Sequence, residues 1–301
     1  MSMNMGDWKS VGQNDLNLIF VNSYMEFASK LGLIYSYRKP TQSVEYDLET
    51  GSFGSVPEYG STGIAYEDIS EGYKKETQEV QYAKGMKVTS RLMRSDLYGV
   101  IQRKVRDLAR SFNYLRETVG ASPFVNAFNS TFTVGDGLSL CNSAHTSKAA
   151  GVATQSNTGT AALSPANLFT NAVLNMAKFK NNAGVAIPEN NADMIIVPVD
   201  LSDVAYELIS SSGKVDTQLN NKNYYEGKYK LLVWTNFLSG TKAWFTVNSK
   251  LMKDTMIFRD WVPTQFFKDT EMDVMTMKFA GFTSFNVSTF EWRWAFGHNP
   301  A

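Results

Sequence analysis

Between Thr89 and Glu117, Leu97, Ile101, Val105, Leu108, Phe112 and Leu115 recur at spacings of three and four. That is the period of one helix face, held for about seven to eight turns, and it predicts a long amphipathic helix. Its polar face is basic: Arg91, Arg94, Arg103, Lys104, Arg106, Arg110 and Arg116 stand against Asp96, Asp107 and Glu117, a net of +4.

The chain in front of this helix has the opposite character. Tyr35 to Lys87 is polar, with alternating segments such as "VEYDLE" and "EVQYAKGMKV" around a Gly/Ser/Pro-rich stretch between Gly51 and Gly63. This reads as an extended β-arm, and about fifty such residues cannot make a core of their own. From Lys39 to Val88, nine acids face five lysines, a net of −4. A solvated face is the ordinary reading of either segment alone. Together they suggest arm-on-helix contact, within one subunit or between two. With few contacts to hold it, the arm is expected to be mobile in an isolated subunit.

Upstream, Asp15 to Leu31 carries Leu16, Ile19, Phe20, Phe27 and Leu31 in a short amphipathic helix, with Asp15 as N-cap. Downstream, Asn142 to Ser164 is small and polar and forms the best domain boundary. A compact α/β unit follows. Ser164 and Pro165 open a helix that "NNAG" closes, and "MIIV" (194–197) is a buried strand. Asp200 caps a second helix closed by Gly213; "YKLLVW" and "KAWFTV" are strands. In "TFEWRWAF", Phe290, Trp292, Trp294 and Phe296 alternate with Glu291 and Arg293, which predicts a strand with an aromatic core face. "EMDVMTMKF" reads as a strand too.

Lys+Arg and Asp+Glu are both 29, so the net charge is zero. A protein built to grip nucleic acid usually carries a basic field, whereas near-neutrality promotes self-association. One cysteine rules out an internal disulfide framework and fits a reducing compartment. No apolar run reaches the roughly 20 residues of a membrane span.

Chemistry has few candidates. "VGDGLSLCNSAHT" (134–146) holds the single cysteine, Cys141, and one of two histidines, His145. A metal site needs three or four ligands and C-x3-H supplies two, with only His298 left. No metal or cofactor is expected. A Cys–His nucleophilic pair is an alternative, though nothing nearby supplies an oxyanion loop. The plainer reading is a hairpin turn with Gly137 at positive φ, a packed cysteine and a loop histidine. No phosphate-binding glycine loop or nucleophile elbow is present.

The order of a polar arm, long helix, inserted α/β unit and returning aromatic strand resembles the major capsid proteins of tailed bacteriophages. The resemblance is carried by "KGMKVTSRLMRSDLYG", by "VGDGLSLCNSAHT" with its D-G-x-x-L-x-x-x-x-H turn, by "ADMIIVPVDLSDVAYELI" with "YKLLVWTNFL", and by "EWRWAFGHNPA". The loop wording is most similar to the phage Mu-like group. It implies an α+β fold of the Hong Kong 97 type. Residues 1–38 would be an N-terminal arm, 39–88 the extended loop, 89–160 a peripheral domain with the spine helix, 161–255 an axial domain, and 256–301 the return strands.

The resemblance further implies a non-enzymatic structural protein that assembles into hexamers and pentamers of an icosahedral shell around phage double-stranded DNA. It would be made in the bacterial cytoplasm and located in the virion. The arm would lie on a neighbour, so Glu45, Asp47, Glu49, Phe53, Glu67 and Asp68 are expected at intersubunit contacts, with Arg94, Arg103, Arg106 and Arg110 opposite. No charged coiled coil precedes the arm, so the expected partners are a separate scaffolding protein and a portal, with a decoration protein as a further one. Lys74 and Lys75 lie on the arm, but no motif selects a covalent cross-link. The rivals are an encapsulin-like nanocompartment shell, a Cys–His hydrolase and a nucleic-acid-binding module.

Overall fold

The apolar stripe folds as a helix, displaced towards the C-terminus from where its spacing placed it. The structure, a computed structural model, describes residues 16–59, 63, 64, 66–68, 71–89, 91, 92, 95, 99–149, 151–187, 189–213, 222–234, 238, 242–271 and 276–300. The first helix is 16–25 (α1), so Asp15 lies outside the described residues, and the chain breaks before a second short helix, Leu31–Ile34 (α2). The long helix is Val100–Val125 (α3). Thr89 belongs instead to a strand, and Gly99, at φ 64°, turns the chain into the helix. Leu97 and Arg94 lie outside the described residues.

The helix also outruns Glu117, because its buried stripe continues through Gly120, Ala121 and Phe124. Pro123 sits in the last turn without an N–H for the Val119 carbonyl. The Ser122 hydroxyl donates to that carbonyl at 2.7 Å and replaces the missing bond. Glu117 is no surface residue: it is 2% exposed and accepts from Ser29 Oγ (2.5 Å), the Lys30 N–H (3.1 Å) and Trp234 Nε1 (3.1 Å).

Eleven strands are described: Ser36–Arg38 (β1), Val44–Thr50 (β2), Glu71–Gln78 (β3), Gln81–Thr89 (β4), Thr158–Gly159 (β5), Met194–Val197 (β6), Lys230–Val233 (β7), Trp244–Val247 (β8), Met256–Glu271 (β9), Thr276–Thr289 (β10) and Ala295–His298 (β11). They form a four-stranded sheet in the order β1-β9-β10-β4, a five-stranded sheet β5-β11-β8-β6-β7, and the two-stranded ribbon β2-β3. The α3 stripe of Ile101, Val105, Leu108, Ala109 and Phe112 packs with Val88 of β4 and Phe279 of β10, and α1 joins through Leu16 and Phe20. Gly281 of β10 lies directly under the Phe112 ring, where any Cβ would collide. The larger core runs from Phe124 and Trp234 through Phe245, Phe258 and Phe285 to Trp292 and Trp294.

The α/β unit forms largely as its spacing predicts. Ser164 accepts from the Asn167 N–H, Pro165 opens the helix Pro165–Leu168 (α4), and a π-helical stretch Phe169–Asn175 continues it. "MIIV" is β6, buried at every position. Asp200, expected as an N-cap, falls instead within the 3-10 turn Val199–Leu201, and the helix Ser202–Ser210 (α5) begins after it. The N-cap role that sequence gives to acids does go to Asn248, whose side chain accepts from Lys250 and Leu251 at the start of Ser249–Thr255 (α6).

"TFEWRWAF" is not one strand. β10 ends at Thr289, the chain turns through 290–294, and β11 starts at Ala295. The Glu291 carboxylate accepts from the N–H groups of Trp292 (2.9 Å) and Arg293 (3.0 Å), which fixes the corner. Aromatics at alternate positions still reach the core, but so does Arg293, at 4% exposed.

Candidate assembly interface

The β2–β3 ribbon leaves the body over a root that the sequence did not advertise. Two of its acids turn inward. Asp47 meets Arg259 of β9 at 2.6 Å, with both side chains 4% exposed. Arg259 also donates to Ser288 Oγ (2.5 Å) and Thr77 Oγ1 (3.3 Å), and Ser288 donates to the other Asp47 oxygen at 3.0 Å. Glu49 accepts from Arg293 at 3.1 Å, and Arg293 also grips Glu291 at 2.7 Å. The rest of the guanidinium donates to the Lys180 carbonyl (2.8 Å) and Asn182 Oδ1 (2.7 Å).

The other side of the root rests on the segment that follows α3. Tyr73 Oη and Thr146 Oγ1 are 2.8 Å apart, Lys75 donates to Thr133 Oγ1 at 3.0 Å, and Lys148 donates to the Gly72 carbonyl at 3.2 Å. Gly135 allows this closeness: a Cβ there would lie 2.6 Å from the Phe290 carbonyl oxygen and 3.2 Å from Tyr73 Cβ. Buried charge pairs are held only where geometry and hydrogen bonds are well satisfied. The root is therefore clamped within its own subunit, against the expectation of an arm with few contacts.

This placement divides the residues expected at intersubunit contacts. Asp47 and Glu49 pair with Arg259 and Arg293 rather than with the basic helix. Their side chains are occupied inside the chain because alternate residues of β2 face the body, and a carboxylate buried there is held by a paired cation. Glu45 is half-buried and accepts from the Thr41 and Gln42 N–H groups, which lower its carboxyl from the usual value. Glu67 accepts from the Gly54 N–H at 2.9 Å, and Asp68 is exposed. Phe53 is 70% exposed. Arg103, Arg106 and Arg110 lie on the exposed face of α3, Arg110 at 4.0 Å from Asp107, while Arg94 is outside the described residues. Arg116 faces inward, paired with Asp260 at 2.8 Å.

"VGDGLSLCNSAHT" is a turn, as expected, with Gly137 at φ 82°. Cys141 is buried, and burial pushes its thiol far up, which keeps it protonated and unreactive. His145 is more than a loop residue. Its Nδ1 meets Asp136 Oδ2 at 2.6 Å, its Nε2 lies 3.1 Å from Asn157 Oδ1, and its ring stacks on Trp292 at 4.2 Å. Both ring nitrogens are thus engaged away from Cys141. His298 is buried against Trp244, accepts from the Ala161 N–H, and is pushed down to about 4 by burial. No nucleophile with its base is assembled at these residues.

Arg259 and Arg293 were the missed residues. Their signal was there: a lone arginine inside "MIFRDW" and inside "EWRWAF" is a buried cation that needs an acid from elsewhere.

A fold of two sheets, a long helix laid across one of them and a projecting ribbon rooted by buried pairs defines a shell-building subunit. The family model for "Phage capsid protein" matches residues 72–298, and the chain belongs to that family. Comparison with curated proteins gave no match. Among solved structures, the chain is similar to the procapsid subunit of bacteriophage JBD30 (10% identity over 99% of this chain and 77% of that one, TM-score 0.56). It is similar to the capsid protein of cyanophage P-SCSP1u (10% identity, 91% and 88% covered, TM-score 0.59). It is also similar to the virus-like particle subunit of Pyrococcus furiosus (8% identity, 95% and 98% covered, TM-score 0.55). The fold is that of Hong Kong 97-type major capsid proteins.

Proposed function

We propose that the chain is the principal shell subunit of a tailed phage, forming hexamers and pentamers in which each ribbon covers a neighbour. The observation that carries this reading is the end of the ribbon. Phe53, Val56, Tyr59, Ile64 and Tyr66 are 66–96% exposed on an arm whose root is locked. Large apolar side chains grouped at one exposed tip call for a covering surface. A second copy supplies one, along with Arg103, Arg106 and Arg110 for Glu45, Glu67 and Asp68. Each such exposed pair is worth only about 0–1 kcal/mol. A closed shell multiplies them because every subunit joins several neighbours at once.

Within this reading, 39–88 is the covering loop, 89–160 with 256–301 the peripheral domain, and 161–255 the axial domain. A separate scaffolding protein, a portal and a decoration protein are its partners, and double-stranded DNA is enclosed without sequence-specific contact. Assembly takes place in the bacterial cytoplasm. The Asp136–His145 contact supports a structural role for the D-G-x-x-L-x-x-x-x-H turn; the grouping with Mu-like phages rests on the wording of the loops alone.

Negative-stain electron microscopy and sedimentation of the protein, expressed alone and with its phage neighbours, test the proposal. Uniform shells or tubes in either preparation support it, and small particles in both overturn it. A nanocompartment shell is the rival reading, and shells holding a protein cargo instead of DNA would favour it.

A further inference from the structure

We propose that Glu49 and Glu291 hold one proton between them at the root of the ribbon, and that losing it loosens the ribbon from the corner at 290–294. Both carboxylates bond the same Arg293 nitrogen, Glu49 at 3.1 Å and Glu291 at 2.7 and 2.9 Å. The two carboxylates therefore meet at one donor. Two ionised carboxylates offer each other only acceptors, so a proton on one lets them lie together there.

The charge balance says the same. Two acids share one guanidinium in a place where Glu49 is 6% and Arg293 4% exposed. Lys148 and Lys75, the cations on the other side of the root, each bond a neutral oxygen, the Gly72 carbonyl and Thr133 Oγ1. β3 contributes the Tyr73 N–H to Glu49 at 3.2 Å, and the segment around 180 contributes a carbonyl and the Asn182 amide. Behind Trp292 stands the Asp136–His145 pair, whose ring nitrogens are engaged with Asp136 and Asn157. Along the ribbon, Asp47 and Arg259 balance one to one and need no proton. Burial pushes the Glu291 carboxyl up to about 7, with Arg293 pulling it down and Glu49 pushing it further up.

The direction of the effect follows. The seated ribbon keeps the proton; unseating removes the like charge of Glu49 and opens Glu291 to water, so an unseated ribbon gives the proton up at lower pH. Seating is therefore favoured most at low pH, is lost progressively up to about 7, and changes no further above that. One proton allows at most about a tenfold change in opening per pH unit.

Hydrogen–deuterium exchange of the full chain, corrected for the intrinsic pH dependence of amide exchange, reads this out at 44–50 and 71–78. Protection of the ribbon should fall between about pH 5 and 7 and then level off. Glu291→Gln and Glu49→Gln should each flatten that dependence. Infrared difference spectra of the wild-type protein should show a protonated-carboxyl band that persists to near neutrality and is lost from Glu291→Gln. Ribbon protection that ignores pH over this window, or the same slope in a folded variant, overturns the proposal. So does a wild-type spectrum with no such band, which needs no variant to fold.

Discussion

Asp136 and His145 meet at 2.6 Å with side chains 1% and 0% exposed, tying the turn after α3 to the loop that follows it. Asn157 completes the arrangement. Its amide nitrogen donates to the Leu140 and Ala295 carbonyls and its oxygen accepts from the Asn142 N–H, so the orientation facing His145 is set. His145 Nε2 must therefore be the donor to it. Removing one partner of a buried hydrogen bond leaves the other unsatisfied, at a cost of about 1–3 kcal/mol. Asp136→Ala should destabilise the subunit by about that amount in chemical denaturation.

The Asp47–Arg259 pair separates charge from packing. Arg259→Met alone should cost about 3–5 kcal/mol, because Asp47 stays buried without its cation. Adding Asp47→Leu should recover much of the loss, since apolar groups of similar volume often replace a buried pair at little cost. A denaturant double-mutant cycle reads the coupling directly, and strict additivity of the two changes would show that the pair is not coupled.

Cys141 should behave as a small core residue. Alkylation by iodoacetamide should be negligible in the folded protein and complete in denaturant. Cys141→Ala should leave shells intact under the electron microscope.

The exposed arginines of α3 should matter more between subunits than within one. Arg110 faces Asp107 of its own helix at 4.0 Å, so reversing Arg103, Arg106 and Arg110 to glutamate should cost subunit stability about 0–1 kcal/mol each. The same variant should assemble poorly, with the defect largest at low salt, where exposed charges are least screened. Assembly at wild-type efficiency would remove these residues from the interface.

What was legible in the sequence were the features that repeat locally. The stripe from Ile101 to Phe112, the Ser164–Pro165 helix start and "MIIV" all declare themselves through spacing or caps. The boundaries of α3 did not, because β4 runs to Thr89 and Gly99 caps the helix start, while the apolar period in the sequence marks neither point. The tail corner was misread for a related reason: alternate aromatics look the same whether a strand continues or a corner is buried on all sides. Glu117, Asp47 and Glu49 were counted as surface charge, since their partners are Ser29 and Trp234, Arg259 and Arg293, far away in sequence. Composition and period see neighbours along the chain, and the root of the ribbon is built mostly from residues that are not.

That distance has a temporal side. Glu49 and Arg293 are 244 residues apart. At roughly 5–20 residues per second of synthesis, the ribbon waits about 12–50 seconds on the ribosome for the residue that seats it. Throughout that interval the chain has its apolar tip but no fixed direction in which to point it. The Glu49 side of the root is therefore set only once the corner before β11 has been made.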